Sequence, residues 1–113
     1  MKVLCIGTEE FCISMMEMIK VEKPTWVAYL SNKIDEAVRI ARADSGINTV
    51  ILDGTTMTEQ GIAIVREIKA LLPKAQFVGF SKDVVLLGKL DAVGCDKVTD
   101  DKSNSIFRFI IEE

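Results

Sequence analysis

Apolar and polar residues alternate along the chain in blocks, and the blocks predict strands and helices in strict succession. Short runs rich in β-branched and aromatic residues are typical of buried strands, whereas the longer segments carry apolar residues at helical spacing. We predict strands over residues 3–6, 26–30, 49–52, 76–80 and 96–99. We predict helices over residues 9–20, 34–43, 58–72, 83–93 and 103–111. Pro24 and Pro73 end the helices that precede them, and Gly94 closes the fourth helix.

Five strand–helix units within 113 residues predict one α/β domain that spans residues 1–113. Strands that alternate with helices pair in parallel and are covered by helices on both faces of the sheet. The pattern therefore predicts a doubly wound parallel sheet.

Composition removes several classes of function. The net charge is −3 and the basic residues are scattered, so we expect no nucleic-acid partner. No apolar run approaches the roughly 20 residues that a membrane span needs, so we expect no membrane association. The N-terminus is too short and too strand-like for a signal peptide, and we expect a cytoplasmic protein.

The chain has no histidine, which excludes histidine-ligated metal sites and catalysis by Ser-His or Cys-His pairs. Its three cysteines, Cys5, Cys12 and Cys95, are odd in number and far apart in sequence. We expect them to be buried free thiols rather than members of a disulfide framework.

Asp53 is the strongest candidate for chemistry. An apolar, β-branched run over residues 49–52 stops at this single carboxylate, and Gly61 follows eight positions later. Ligands of open α/β sheets bind at the carboxyl ends of the strands. We therefore expect Asp53 at that edge of the sheet, in a crevice that solvent can reach.

Three segments resemble the receiver domain of response regulators: Val50-Ile51-Leu52-Asp53 with Gly61, residues 32–37, and residues 92–96. The resemblance implies a flavodoxin-like, five-stranded (βα)5 fold with strand order 2-1-3-4-5. It also implies a signalling module without enzymatic activity of its own, which accepts a phosphoryl group on Asp53 in a two-component phosphorelay. The fold alone does not fix this function.

The resemblance further implies a set of site residues. In receivers a magnesium ion offsets charge at the phosphoacceptor, a hydroxyl follows the fourth strand, and a lysine follows the fifth. The implied partners of Asp53 in catalysis are Ser81 and Lys102. The implied ligands of Mg²⁺ are Asp53, Glu9 and Thr55.

The chain departs from the receiver pattern at several places, and two of them concern charged groups of the site. The pair of metal-binding acids falls on Gly7 and Thr8, and the family's lysine falls on Asp101, next to Lys102. These departures predict an atypical receiver with a weak or absent Mg²⁺ site. Such a receiver is either phosphorylated poorly or works through binding alone.

The partners that the resemblance implies are a sensor histidine kinase or another phosphodonor, and a downstream protein. The docking face of the family is formed by the fourth helix, the fifth strand and the fifth helix, and it also allows a homodimer. The residues that this face would carry here are Val84, Leu87, Leu90, Ile106 and Phe109.

Two other functions fit a small parallel sheet. A phosphocysteine carrier resembling the B subunits of sugar phosphotransferases would use Cys5, although Glu9 and Glu10 in the following loop would repel phosphate. A flavin or cobalamin module is the other alternative, and it lacks both a phosphate-binding loop and a histidine. We rank the receiver hypothesis above both.

Overall fold

The computed structural model describes residues 1–53 and 59–100. In chain order the elements are β1 Lys2–Ile6, α1 Glu9–Glu22, β2 Val27–Ser31, α2 Ile34–Ala43, β3 Thr49–Asp53, α3 Glu59–Leu71, β4 Gln76–Phe80, α4 Val84–Ala92 and β5 Lys97–Thr99. The predicted fifth helix lies outside the described residues.

The five strands form one sheet in the order β2-β1-β3-β4-β5, and every neighbouring pair is parallel. This confirms the predicted parallel sheet and its strand order. All five residues of β3 are buried, because this strand is central and helices cover both of its faces.

Alternation along the strands divides the core into two layers. Val3 and Cys5 of β1 and Ile51 of β3 pack with Phe11 and Met15 of α1 on one face. On the other face, the intervening strand residues pack with α2, α3 and α4. The residues at the centre of that second layer are Leu4, Val50, Leu52, Val38, Val65 and Leu90.

The predicted end of α1 is wrong by two residues, because the helix continues to Glu22 rather than ending at residue 20. The residue that precedes a proline is disfavoured in the helical conformation. Lys23 accordingly has φ −138° and ψ 62°, and the helix stops directly before it, one position ahead of Pro24. Gly94 follows α4 with a φ of 112°, as expected of a glycine that closes a helix.

None of the helices described here is both long enough and apolar enough to pass through a lipid bilayer.

Candidate functional site

Asp53 is the last residue of β3, at the carboxyl edge of the sheet, as the sequence predicts. In the register of the sheet, Leu52 lies opposite Ile6 of β1, and Asp53 lies opposite Phe80 of β4. The residues that come next on the two neighbouring strands are Gly7 and Ser81. The edge around Asp53 is therefore built from the ends of β1, β3 and β4.

The expectation that Asp53 lies in an open crevice is wrong, because the residue is 5% exposed. Asp53 is two positions beyond Ile51 and thus shares the sheet face that α1 covers. The rings of Phe11 and Phe80 stack on that face with their centroids 6.0 Å apart. The acid is packed between the end of β1 and the first turn of α1.

Gly7 explains how the carboxylate fits there. A Cβ atom built on Gly7 would lie 2.7 Å from the Asp53 Cβ and 2.7 Å from the Phe11 Cδ2. The space for a side chain at position 7 is thus already filled by Asp53 and the Phe11 ring. An acid at this position, such as receivers carry, would require the strand end or the ring to move.

Thr8 and Glu9 stabilise the N-terminus of α1. The Thr8 Oγ1 accepts a hydrogen bond from the Phe11 backbone N–H at 3.1 Å, which makes Thr8 the N-cap. Glu9 and Glu10 are exposed in the first turn, where a carboxylate interacts favourably with the helix dipole.

Among the residues that the structure describes, those present do not fit the Mg²⁺ site that the resemblance implies. Mg²⁺ takes oxygen ligands in octahedral geometry and is usually bound by one or two carboxylates together with several waters. Gly7 offers no side-chain ligand, and Glu9 is exposed in the first turn of α1. In residues 1–53 and 59–100, no group of three or more Cys, Asp or Glu side chains is placed to hold a metal ion. Thr55, the third implied ligand, lies outside the described residues.

Ser81 is fully buried directly after β4, one residue beyond the register partner of Asp53. Its backbone N–H donates to the Thr99 carbonyl at 3.1 Å, which extends the pairing of β4 with β5. Its Oγ accepts a hydrogen bond from the Asp83 N–H at 3.0 Å. The hydroxyl thus lies at the strand end that the resemblance implies and also holds the turn into α4. Lys102 lies outside the described residues.

Cys5 is poorly placed for a phosphocysteine. It is completely buried in β1, and burial, with a smaller effect of Cys12, raises the pKa of the Cys5 thiol far above its usual range. The Cys12 sulfur lies 3.6 Å from the Ser31 carbonyl oxygen, and burial raises the pKa of the Cys12 thiol as well. A protonated, inaccessible thiol is a weak nucleophile, so the geometry gives the carrier hypothesis no support.

Among the described residues of the expected docking face, large apolar side chains are exposed at the start of α4. Val84 is 81% exposed and Val85 is 66% exposed. The expectation for Leu90 is wrong, because Leu90 is fully buried. It packs on β4, where a Cβ on Gly79 would lie 3.0 Å from the Leu90 Cδ1. Ile106 and Phe109 lie outside the described residues.

Sequence reasoning missed a polar cluster at the opposite edge of the sheet. The Asp44 carboxylate accepts hydrogen bonds from the Tyr29 hydroxyl at 2.7 Å, the Lys2 Nζ at 3.0 Å and the Gly46 N–H at 2.9 Å. The Tyr29 bond first, and then Lys2, lower the pKa of the Asp44 carboxyl to about 2. The cluster ties β1 and β2 to the end of α2. The sequence indicates only the turn over Asp44-Ser45-Gly46, because Tyr29 and Lys2 are far from Asp44 along the chain.

No family model matches the sequence, and no curated protein matches it either. Its structure, in contrast, is similar to solved response regulators. A response regulator from Burkholderia pseudomallei with a phosphorylated aspartic acid, a calcium ion and citrate has a TM-score of 0.77 and 16% identity; the match covers 97% of this chain and 66% of that one. A response regulator from Thermotoga maritima has a TM-score of 0.75 and 16% identity over 95% of this chain and 92% of its own.

A third similar structure is the receiver domain of the response regulator Ssk1 from Saccharomyces cerevisiae, crystallised with the histidine phosphotransfer protein Ypd1. Its TM-score is 0.64, with 14% identity over 87% of this chain and 76% of the other. At such identities the likeness concerns the fold. The chain has the flavodoxin-like fold of response-regulator receiver domains, and the resemblance inferred from the sequence is confirmed at that level.

Proposed function

We propose that this chain is a receiver-type signalling module that acts by docking to another protein, and that it does so without Mg²⁺-dependent phosphorylation of Asp53. The receiver fold supports a role in signalling. The observation that carries the second part is Gly7, whose side-chain space is filled by Asp53 and Phe11 where receivers carry a metal-binding acid.

The physical argument concerns charge. A carboxylate that attacks a phosphoryl group brings two anions together, and a divalent cation normally offsets that repulsion and orients the reactants. Gly7 and Thr8 carry no carboxylate to hold the cation at the positions of the receiver acid pair, so the reaction loses this stabilisation. The 5% exposure of Asp53 also restricts the approach of a phosphodonor.

A second candidate is a receiver that accepts a phosphoryl group on Asp53 from a histidine kinase or another phosphodonor. The position of Ser81 favours it, because this hydroxyl follows β4 at the strand end next to Asp53. The phosphorylated aspartic acid in the similar Burkholderia pseudomallei structure points the same way.

Phosphorylation assays separate the two candidates. The full chain is incubated with acetyl phosphate and Mg²⁺, and its intact mass is measured beside a competent receiver treated identically. We expect no added phosphoryl mass on this chain and full labelling of the competent receiver. Labelling that survives in Asp83→Asn but disappears in Asp53→Asn would establish the phosphoacceptor and overturn our proposal.

The docking surface that we propose begins at Val84 and Val85, since large exposed apolar side chains that lie together mark interaction sites. A second copy of the chain is one partner that this face allows. Sedimentation velocity over a range of concentrations, with Val84→Asp as the comparison, tests that case. Sedimentation that does not change with concentration or with the substitution removes the homodimer.

A further inference from the structure

The outward side of α4 carries apolar and small residues. Val84 is 81% exposed and Val85 is 66% exposed, and Gly88 and Ala92 are exposed one and two turns further along the helix. Residues at these spacings share one side of a helix. Nothing lies within 4 Å of the Cβ that Gly88 would gain, so the helix surface has a notch there. Val85 forms a ridge one turn before this notch.

The ridge and the notch are complementary in an antiparallel pair of α4 helices. A two-fold axis midway between Val85 and Gly88 places Val85 of each copy against Gly88 of the other, because a two-fold interface uses the same surface on both subunits. A glycine lets the opposing side chain approach the helix backbone closely. The apolar part of this surface therefore fits a second copy of itself.

The same axis brings opposite charges together. Lys82 lies three residues before the ridge and Asp91 lies three residues after the notch, and both are exposed. Lys82 of each copy thus faces Asp91 of the other, close to the positive end of the opposing helix dipole. Neither side chain forms a salt bridge within residues 1–53 and 59–100. A parallel pair would instead place like charges together, so the charges favour the antiparallel pair.

The start of α4 is held in place before any association. The Asp83 Oδ1 accepts a hydrogen bond from the Val85 N–H at 2.9 Å, and the Asp83 N–H donates to the Ser81 Oγ at 3.0 Å. These bonds fix the backbone on both sides of Lys82 and at the ridge. A surface that is already ordered loses less conformational entropy when it binds.

We propose that α4 is a self-association surface, on which a second copy of this chain binds with its own α4 antiparallel. Val85 of each copy occupies the notch at Gly88 of the other, and Lys82 pairs with Asp91 at both ends. This pairing rests on the proposed docking function and assigns a second copy to the exposed valines. The contact of one nine-residue helix is small, so the dimer is weak and reversible.

The test uses two charge variants of the full chain, Lys82→Glu and Asp91→Lys, in sedimentation velocity up to millimolar concentration. In a homodimer of either variant both charged contacts join like charges. A mixed pair with one copy of each variant has two attractive contacts. We expect each variant alone to associate about tenfold more weakly than the parent, and an equimolar mixture to regain the association of the parent. High salt should reduce these differences.

A second set of variants tests the ridge and the notch. Val85→Ser removes the ridge and Gly88→Val fills the notch, and each should weaken self-association about tenfold or more. Val27→Ser is the matched control, because Val27 is a half-exposed valine on β2, at the far edge of the sheet from α4. It should leave self-association unchanged. Circular dichroism of each variant reports whether the chain still folds.

Three results would overturn the pairing: a parent chain that stays monomeric at millimolar concentration, a mixture that associates no better than its components, or association unaffected by Val85→Ser and Gly88→Val. Each of them leaves docking to a different protein in place. A phosphoryl group on Asp53, in contrast, would contradict the proposed function and leave the self-association measurement valid.

Discussion

Replacing Gly7 by alanine tests whether Asp53 and Phe11 fill the position of the missing metal-binding acid. The new Cβ would lie 2.7 Å from both the Asp53 Cβ and the Phe11 Cδ2, closer than unbonded carbon atoms approach. The Asp53 Cβ belongs to a central, fully buried strand, so it cannot move away as the tip of a flexible side chain could. We therefore expect Gly7→Ala to destabilise the protein.

Two opposing effects set the size of the change. Overpacking a well-filled core costs about 1–3 kcal/mol. Gly7 does not have a positive φ, so alanine can adopt its backbone conformation, and the loss of chain entropy in the unfolded state returns about 0.4–1 kcal/mol. Overpacking is the larger effect, and the free energy of unfolding should fall by about 1–2 kcal/mol.

The measurement is urea unfolding followed by circular dichroism, with midpoints compared at equal slope. Gly88→Ala is the matched control, because this glycine lies within α4 and nothing lies within 4 Å of the Cβ it would gain. Alanine is favoured over glycine in a helix by roughly 0.5–1 kcal/mol, so the control should be stabilised. The same substitution should thus have opposite signs at the two sites.

A Gly7→Ala variant that is as stable as the parent would refute the reasoning. It would mean that the space beside Asp53 is open, and that an acid could be accommodated there. The proposal that the receiver metal site is absent would then lose its main support.

Three further outcomes are expected. Ionised Asp44 contributes stability above the ordinary aspartate pKa of about 4, and this contribution is lost as the pH falls through its folded pKa of about 2. The urea midpoint of Asp44→Asn should therefore fall less than that of the parent between these pH values. Equal decreases of the two midpoints would contradict a stabilising role of the Asp44 cluster. Gly94→Ala should lose about 1–2 kcal/mol in urea unfolding, because alanine resists a φ of 112°, and an unchanged midpoint would show that the turn relaxes. Burial raises the pKa of Cys95 to about 12, and Cys5 and Cys12 are buried as well. Iodoacetamide at neutral pH should therefore label none of the three cysteines until urea is added. Labelling of the folded chain would show that solvent reaches these thiols and would contradict their burial.

The surroundings of Gly7 show why the site around Asp53 could be predicted only in part from the sequence. The sequence shows that a glycine stands where receivers carry an acid, which predicts a weak metal site. Whether a neighbouring acid could compensate depends on the direction of α1 and on the space left by Phe11, and both follow from how α1 packs on the sheet. Glu9 was a reasonable candidate by distance along the chain, but the start of the helix leaves it exposed.

Asp53 and Leu90 show the same difference between what local sequence predicts and what depends on packing. The end of an apolar run correctly predicted that Asp53 would finish a central strand, because strand ends are marked locally by a change from apolar to polar residues. Its burial was not predicted, since that depends on the rings of Phe11 and Phe80, which come from other elements. Leu90 was assigned to the wrong face because a helix that is apolar on most sides does not reveal which side meets the sheet.

The sequence by itself determined the succession of strands and helices, the parallel doubly wound class and the position of Asp53 at a strand end. These features depend on the periodicity of neighbouring residues, which records the burial pattern within each element. Only the tertiary structure decided that Asp53 and Phe11 occupy the space beside Gly7 where a side chain would lie. It also decided that Asp44 accepts hydrogen bonds from Tyr29 and Lys2, and that Arg66 and Lys89 line the same groove between α3 and α4. Those features are distances between residues far apart in the chain, and such distances exist only once the helices are packed on the sheet.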